Sequence, residues 1–164
     1  MEIKRLLEEF DEEIIRSFVQ KNADYYLAKW KVMATTNSKI SWNWAAFLAT
    51  TLWMGYRKMY LYAFLVILIT LLEFIPIVGL IVWLALWIGI GMFGNFLYGK
   101  YTYNKLVELK TTFQDEELFK NQVVKSGGTS IGGVFLIMLI SFIIYFIVTA
   151  IFVSLTQTYS NTGF

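Results

Sequence analysis

Four stretches hold residue types at spacings that can do chemistry. The run GIGMFG, residues 89–94, matches the glycine spacing of a dinucleotide fingerprint letter for letter. That fingerprint works only where a strand delivers the glycines to the start of a helix aimed at a pyrophosphate, with an acid about 20 residues further on. Here the glycines lie inside a long apolar run, so nucleotide binding is set aside. Ala85, Gly89, Gly91 and Gly94 read instead as small residues that let another helix approach closely, with Asn95 hydrogen-bonding across the contact. Glu73 is the only acid between Ile40 and Tyr98. An acid at membrane depth is a candidate ion or proton site; its place beside Pro76, at a turn, gives the competing reading of a water-facing interface residue. The acidic clusters EEFDEE (8–13) and QDEELF (114–119) lack the loop geometry of an oxygen-ligand metal site, and read as solvated helix surface. SGGTS (126–130) could cradle a phosphate through backbone N–H groups, but a hinge before an apolar helix is simpler.

What is missing narrows the chemistry further. The chain has no histidine and no cysteine. That removes the commonest general base and metal ligand, the usual Ser-His and Cys-His nucleophile pairs, disulfides and thiolate sites. No catalytic residue, metal or cofactor is expected, and the chain reads as a non-enzyme. A net charge of +2 is too small to argue for nucleic acid.

The charges lie in blocks. Residues 1–39 carry fourteen, seven of each sign; residues 40–98 carry only Arg57, Lys58 and Glu73; from Ser126 onward there are none. Such blocks belong to a chain that lies partly in lipid. Ile77–Leu97 and Ile131–Phe152 are free of charge, and at 1.5 Å per residue each reaches about 30 Å, the hydrocarbon thickness. Met59–Leu72 is shorter and forms a hairpin with Ile77–Leu97 that turns within 73–79, where Pro76 disfavours helix at Ile75 and suits the first turn of a new one. Residues 3–19 read as an amphipathic helix with Ile3, Leu6, Leu7, Phe10, Ile14 and Phe18 on one face. Opposite charges four apart, Lys4/Glu8, Arg5/Glu9 and Glu12/Arg16, support it. Asn22 or Asp24 begins a second helix, and TTNSK (35–39) is a linker. The segment 99–130 reads as helices along the membrane surface, and 154–164 as an external tail.

Orientation follows lysine and arginine. Seven precede Ile40, two stand at 57–58, five lie in 99–126, and none lie in the 73–79 turn or after the last span. Placing all of them inside makes the N-terminus cytoplasmic and gives residues 40–56 both ends on one side. That segment then lies in the interface or dips in and returns; the rival arrangement, four spans with the N-terminus outside, strands seven basic residues on the wrong side. Trp30, Trp44, Trp53, Tyr56, Arg57, Lys58 and Tyr60 are the expected anchors to lipid headgroups. Trp83 and Trp87, one turn apart, pack against the last helix or line a lipid or small-molecule pocket.

The stretches KNADYYLAKW, SWNWAAF…LW…YRKMY, GNFLYGKYTYNKL and GGTS resemble an uncharacterised bacterial membrane-protein family, domain of unknown function 2628. The resemblance covers most of the chain from Phe18 on. It implies a small helical protein of the bacterial cytoplasmic (inner) membrane, and no reaction, cofactor or ligand. The family often carries Gly-Pro near Thr50-Thr51; its absence here predicts a continuous helix over 42–56. The expectation is an all-α integral membrane protein: amphipathic N-terminal helices, one interfacial helix, a transmembrane hairpin and a final transmembrane helix. Its partners are membrane lipids and either a second copy or another membrane protein, engaged through the Ala85–Asn95 face. The expected role is a non-enzymatic accessory protein, with a small-molecule or ion transporter or channel subunit as the alternative.

Overall fold

The computed structural model describes residues 2–75 and 77–161. Pro76 and the side chain of Glu73 lie outside the described residues, so neither the turn residue nor the candidate proton site is placed. Within the described residues the chain is all-α, with eight α-helices, one 3-10 turn and no strand.

Three short helices come first: α1 (Glu2–Glu9), α2 (Glu12–Val19) and α3 (Ala23–Thr36). The single helix expected over 3–19 is two. The chain is extended at Asp11 (ψ 146°), and the Asp11 carbonyl accepts the Ile15 N–H at 3.1 Å. The acids of α2's first turn, Glu12 and Glu13, favour a helix start there, because carboxylates complement the positive end of a helix. The break lets α1 bury Ile3 and Leu6 while α2 buries Ile15, Phe18 and Val19. The three expected ion pairs form: Lys4–Glu8 at 3.7 Å, Arg5–Glu9 at 2.7 Å and Arg16–Glu12 at 2.9 Å. Asp24 pairs with Arg16 at 2.6 Å rather than capping α3.

Glu12 joins α2 to α3, accepting from Lys31 (2.7 Å) as well as Arg16; these bonds hold its carboxyl below the usual value of 4.5. Bonds from Arg5 and Tyr103 lower Glu9 in the same way. A carboxyl depressed in the folded state contributes stability above its unfolded pKa and loses it as pH falls through the folded value. Amide protection factors in α1–α3 are therefore expected to drop between about pH 5 and pH 3, with those in the apolar stretches of the two longest helices unchanged. Hydrogen exchange by mass spectrometry measures this.

Those two helices are α6 (Val78–Thr112) and α8 (Ile131–Asn161), both long and apolar enough to cross a membrane. Between α3 and α6 come α4 (Trp44–Tyr56), the shorter apolar α5 (Tyr60–Thr70) and a 3-10 turn (Leu71–Phe74); α7 (Glu116–Ser126) precedes α8. α5 and the 3-10 turn together reach about 24 Å, in keeping with the shorter stretch expected at Met59–Leu72.

α6 does not end near Leu97, where the apolar run ends, but carries on through residues 98–112. It runs 35 residues without interruption, because nothing between Leu97 and Thr112 breaks a helix and Tyr98, Thr102, Leu106 and Leu109 keep one face buried. Its second half is the post around which α1, α2, α3 and α7 pack. Gly99 lies under Ile3 and Trp30, leaving no room for a side chain there. Phe10 meets Tyr103 edge-on at 6.3 Å. α8 likewise continues as helix past Phe152 to Asn161, into the segment read as a tail.

α5 and α8 run side by side, Tyr60 beside Gly133 at one end and Thr70 bonded to Tyr145 (2.6 Å) at the other. SGGTS is no free hinge. The Gly128 N–H donates to the Phe18 carbonyl at 2.7 Å, the Ser130 N–H donates to the Tyr56 carbonyl at 2.8 Å, and Ser130 Oγ caps α8 at the Gly133 N–H (2.9 Å).

Candidate functional site

α4 is interrupted by one residue with non-helical backbone. Thr50 has φ 40° and ψ −112°, so the helix is two arms joined at a break. The continuous helix expected over 42–56 is corrected. A β-branched residue at positive φ is strained. Thr50→Gly is therefore expected to hold or raise the thermal midpoint, whereas glycine at Ala49, one residue earlier, costs about 1 kcal/mol. Paired thermal melts of the two variants check this.

Contacts give the path of the arms. The first descends along α6: Ala46 packs at Gly94, where an added Cβ would lie 2.6 Å from the Ala46 Cβ. Phe47 then stacks on Trp87, further down α6, at 4.4 Å. At the break, Thr50 and Thr51 face Trp83, Trp87 and Ile90 of α6 and Ser141 and Tyr145 of α8. The second arm climbs back along α8, with Gly55 against Gly133 and Ile137. Its end, Arg57, returns to the level of Tyr98. Both ends of α4 thus lie where α6 enters the N-terminal helices, and its middle lies deep among α5, α6 and α8.

Asn95 holds the entry to the dip. Ser38 to Asn43 form no helix; the N–H groups of Ser41 and Asn43 donate to the carbonyls of Met92 (2.9 Å) and Gly91 (2.8 Å) on α6. The fully buried Asn95 amide sits inside this joint. Its Oδ1 accepts from Asn43 Nδ2 at 2.9 Å, and its Nδ2 reaches Ser41 Oγ at 3.0 Å, the Trp42 carbonyl at 3.2 Å and Tyr25 Oη at 3.3 Å. The Asn43 carboxamide oxygen caps α4 through the Ala46 N–H at 3.0 Å. The Asn95 carbonyl accepts the Trp30 indole N–H at 2.8 Å, tying α3 to the same point.

Arg57 holds the exit. It is 2 % exposed. Its guanidinium donates to the carbonyls of Val19 (3.2 Å) and Lys21 (2.9 Å) and lies over the rings of Tyr26 (4.7 Å), Tyr98 (5.0 Å) and Tyr56 (5.8 Å). Those two carbonyls flank Gln20, which sits at positive φ and closes α2. The delocalised, weakly hydrated guanidinium suits such a cage of aromatic faces and carbonyls.

These placements change the expected site. Arg57, Trp30 and Trp53 are buried, so they are not headgroup anchors. The indoles donate to the Asn95 carbonyl and to Tyr26 Oη (3.3 Å). The basic and aromatic clustering read as a membrane surface is here a polar core, because the short N-terminal helices fold back over it. Trp44 is 65 % exposed and Tyr60 38 %, while Tyr56 is half-buried. The Lys58 ammonium donates to the carbonyls of Lys125 and Gly127. Gly91 and Gly94 receive the chain's own α4 through Phe47 and Ala46, and Asn95 receives the non-helical residues 41–43 before it, so these three positions are not open to a second copy. Ala85 is exposed, and a Cβ on Gly89 would meet nothing. Asn43 and Ser41 are not among the expected site residues; Asn43 stands out in the sequence only as a polar position seven residues before Thr50, and Ser41 only by its place in SWNW before an apolar helix.

The break opens on a chamber of about 240 Å³ lined by Thr50, Thr51, Thr70, Trp83, Ser141 and Tyr145. Trp83 and Trp87 thus face both the dip and the last helix. The chamber offers hydroxyl groups and indole faces, suited to a small hydrogen-bonding guest. No cluster of metal-ligating side chains occurs among the described residues.

The fold and the site define an all-α protein with two helices able to cross a membrane and a broken helix whose two ends are fixed to one helical head. No family model matches the chain, and no curated protein or solved structure matches it.

Proposed function

We propose that this is an integral membrane protein of the bacterial cytoplasmic membrane, with α1–α3, α7 and the second half of α6 forming a cytoplasmic head, and that it acts as a non-enzymatic accessory protein. Membrane insertion is supported by exposed apolar surface: only 6 % of the most apolar window of α8 is buried, and Phe135, Phe142 and Phe146 are each at least 65 % exposed. A soluble protein does not leave such a helix uncovered. The head carries the lysines and arginines, which sets it inside. With α4 dipping and returning, α5, α6 and α8 carry the crossings. The bacterial placement rests on the resemblance of the quoted motifs to domain of unknown function 2628.

The accessory role rests on a groove of about 500 Å³ in the head, between the α1–α2 break and the α6–α7 junction. Its floor is Phe10, Ile14, Phe113 and Phe119; Glu9, Asp11, Glu13 and Glu116 outnumber Lys110 and Lys120 around it. Aromatic floor and acidic rim fit an amphipathic segment of a partner protein with basic flanks. Photo-crosslinkers at positions 113 and 119 of the full chain should give one discrete protein adduct, lost in Asp11→Asn/Glu13→Gln. Adducts that persist in that variant, or none, overturn the role.

The chamber at Thr50 favours a second reading, a subunit of a transporter or channel. Broken helices at membrane depth line substrate sites in transporters. Solute or ion flux in liposomes that falls with Glu73→Gln or Ser141→Leu would support it; flux equal to empty liposomes would remove it.

A further inference from the structure

A groove of about 590 Å³ lies where the head meets the apolar helices, between the start of α5, the middle of α6 and the end of α7. It is lined by the ammonium groups of Lys58, Lys105 and Lys125 and by one carboxylate, Glu108. Tyr60, Tyr62 and Tyr101 supply the walls; Tyr62 and Tyr101 meet edge-on at 6.2 Å, and Tyr101 Oη donates to the Lys58 carbonyl at 3.0 Å. The cations are presented differently. Lys58 is fixed by the carbonyls of Lys125 and Gly127. Lys105 pairs with Glu108 at 2.7 Å. Lys125 is exposed and has no ion-pair partner among the described residues. The groove therefore holds more positive charge than its own carboxylate balances.

Its lower edge continues into apolar surface. Leu61 lines the groove and is 66 % exposed, and Leu65 and Leu68, four and seven residues on, are 49 % and 41 % exposed. That spacing puts all three on one face of α5. Cations and phenols above, and a leucine ridge running down from them, match the two ends of one molecule.

We propose that this groove binds an anionic phospholipid, its headgroup phosphate held by Lys58, Lys105 and Lys125 and an acyl chain laid along Leu61, Leu65 and Leu68. The proposal rests on the reading of the chain as a membrane protein. The lipid fastens the head to the bilayer at the joint where the dip leaves for α5, since Lys58 belongs to both.

The test uses the full chain in neutral detergent with added phosphatidylglycerol or phosphatidylcholine, read by native mass spectrometry. Wild type should retain phosphatidylglycerol in preference to phosphatidylcholine. Lys125→Gln should weaken this about fivefold and Lys105→Gln/Lys125→Gln about 25-fold, from the usual contribution of one lysine near an anionic surface. Lys4→Gln, an equal loss of charge elsewhere on the head, should leave it unchanged. Lysine variants that hold phosphatidylglycerol like wild type, or a wild type without preference, overturn the site. So does inorganic phosphate binding as well as the lipid does, which would make the occupant a free anion. Flotation of alkali-washed vesicles separates the two failures. A chain that floats without the lipid preference refutes the site alone; a chain that does not float refutes the membrane reading with it.

Discussion

Asn95→Leu is expected to destabilise the protein by about 3 kcal/mol or more and to release residues 38–43 from α6. Leucine keeps the γ-branched skeleton of asparagine but is bulkier and carries no hydrogen-bonding atom, so lost hydrogen bonds and overpacking act in the same direction. Asn95 is fully buried and serves both as acceptor from Asn43 Nδ2 and as donor to oxygens of Ser41, Trp42 and Tyr25. Leucine strands the Asn43 amide in the interior, and an unpaired buried polar group costs about 1–3 kcal/mol. Asn43 also caps α4 through the Ala46 N–H, so losing its orientation weakens the first arm of the dip. Asn95→Asp is expected to fail similarly, because its carboxylate meets the Ser41 and Trp42 oxygens that now accept from Nδ2. Thermal melts give the stability, and limited proteolysis between Asn37 and Asn43 reports the release. A double-mutant cycle of Asn43→Ala with Asn95→Ala should show a coupling of about 1–2 kcal/mol.

Arg57→Ala should cost about 3 kcal/mol as well, and Arg57→Lys should recover less than half of it. The guanidinium satisfies two backbone carbonyls while presenting its faces to Tyr26, Tyr98 and Tyr56. An ammonium is a point donor and cannot hold both carbonyls and rings in that geometry. Alanine leaves the Val19 and Lys21 carbonyls without that donor and opens a cavity beside the buried Trp53 and Tyr98. The same measurement separates this role from headgroup anchoring: a surface anchor tolerates lysine, and a caged cation does not. Proteolysis near Gln20 should rise in parallel, since Arg57 fastens the end of α2.

Much of this arrangement was legible in the sequence because charge and apolarity come in blocks. The two long apolar helices and the i,i+4 ion pairs of the N-terminal helices follow from composition and spacing. What could not be read is what depends on contacts far apart in the chain. Arg57-Lys58 beside Tyr56 and Tyr60 looks like an interfacial anchor until Val19, Lys21 and Tyr98 close over the arginine. Trp30 between two lysines looks like a surface tryptophan until Gly99 lets it reach the Asn95 carbonyl. Gly91 and Gly94 are places of close approach while Ala85 and Gly89 are open, and periodicity says neither which small residues are covered nor which segment arrives. The break at Thr50 left no local mark, since threonine is an unusual residue at that backbone conformation; tertiary packing imposes it. The uninterrupted helix from Val78 to Thr112 was hidden because its change from apolar to polar looks like an end when it is only a change of surroundings.

The central claim is that residues 40–57 enter and leave on the same side. The absence of cysteine makes single-cysteine labelling clean. Thr36→Cys, just before the dip, and Asn121→Cys, in α7, are to be treated with a membrane-impermeant thiol reagent in vesicles of each orientation. Both are predicted to react in inside-out vesicles and to be protected in right-side-out ones. Reaction of Thr36→Cys in right-side-out vesicles, with Asn121→Cys protected there, would mean that α4 crosses the membrane and would contradict the account.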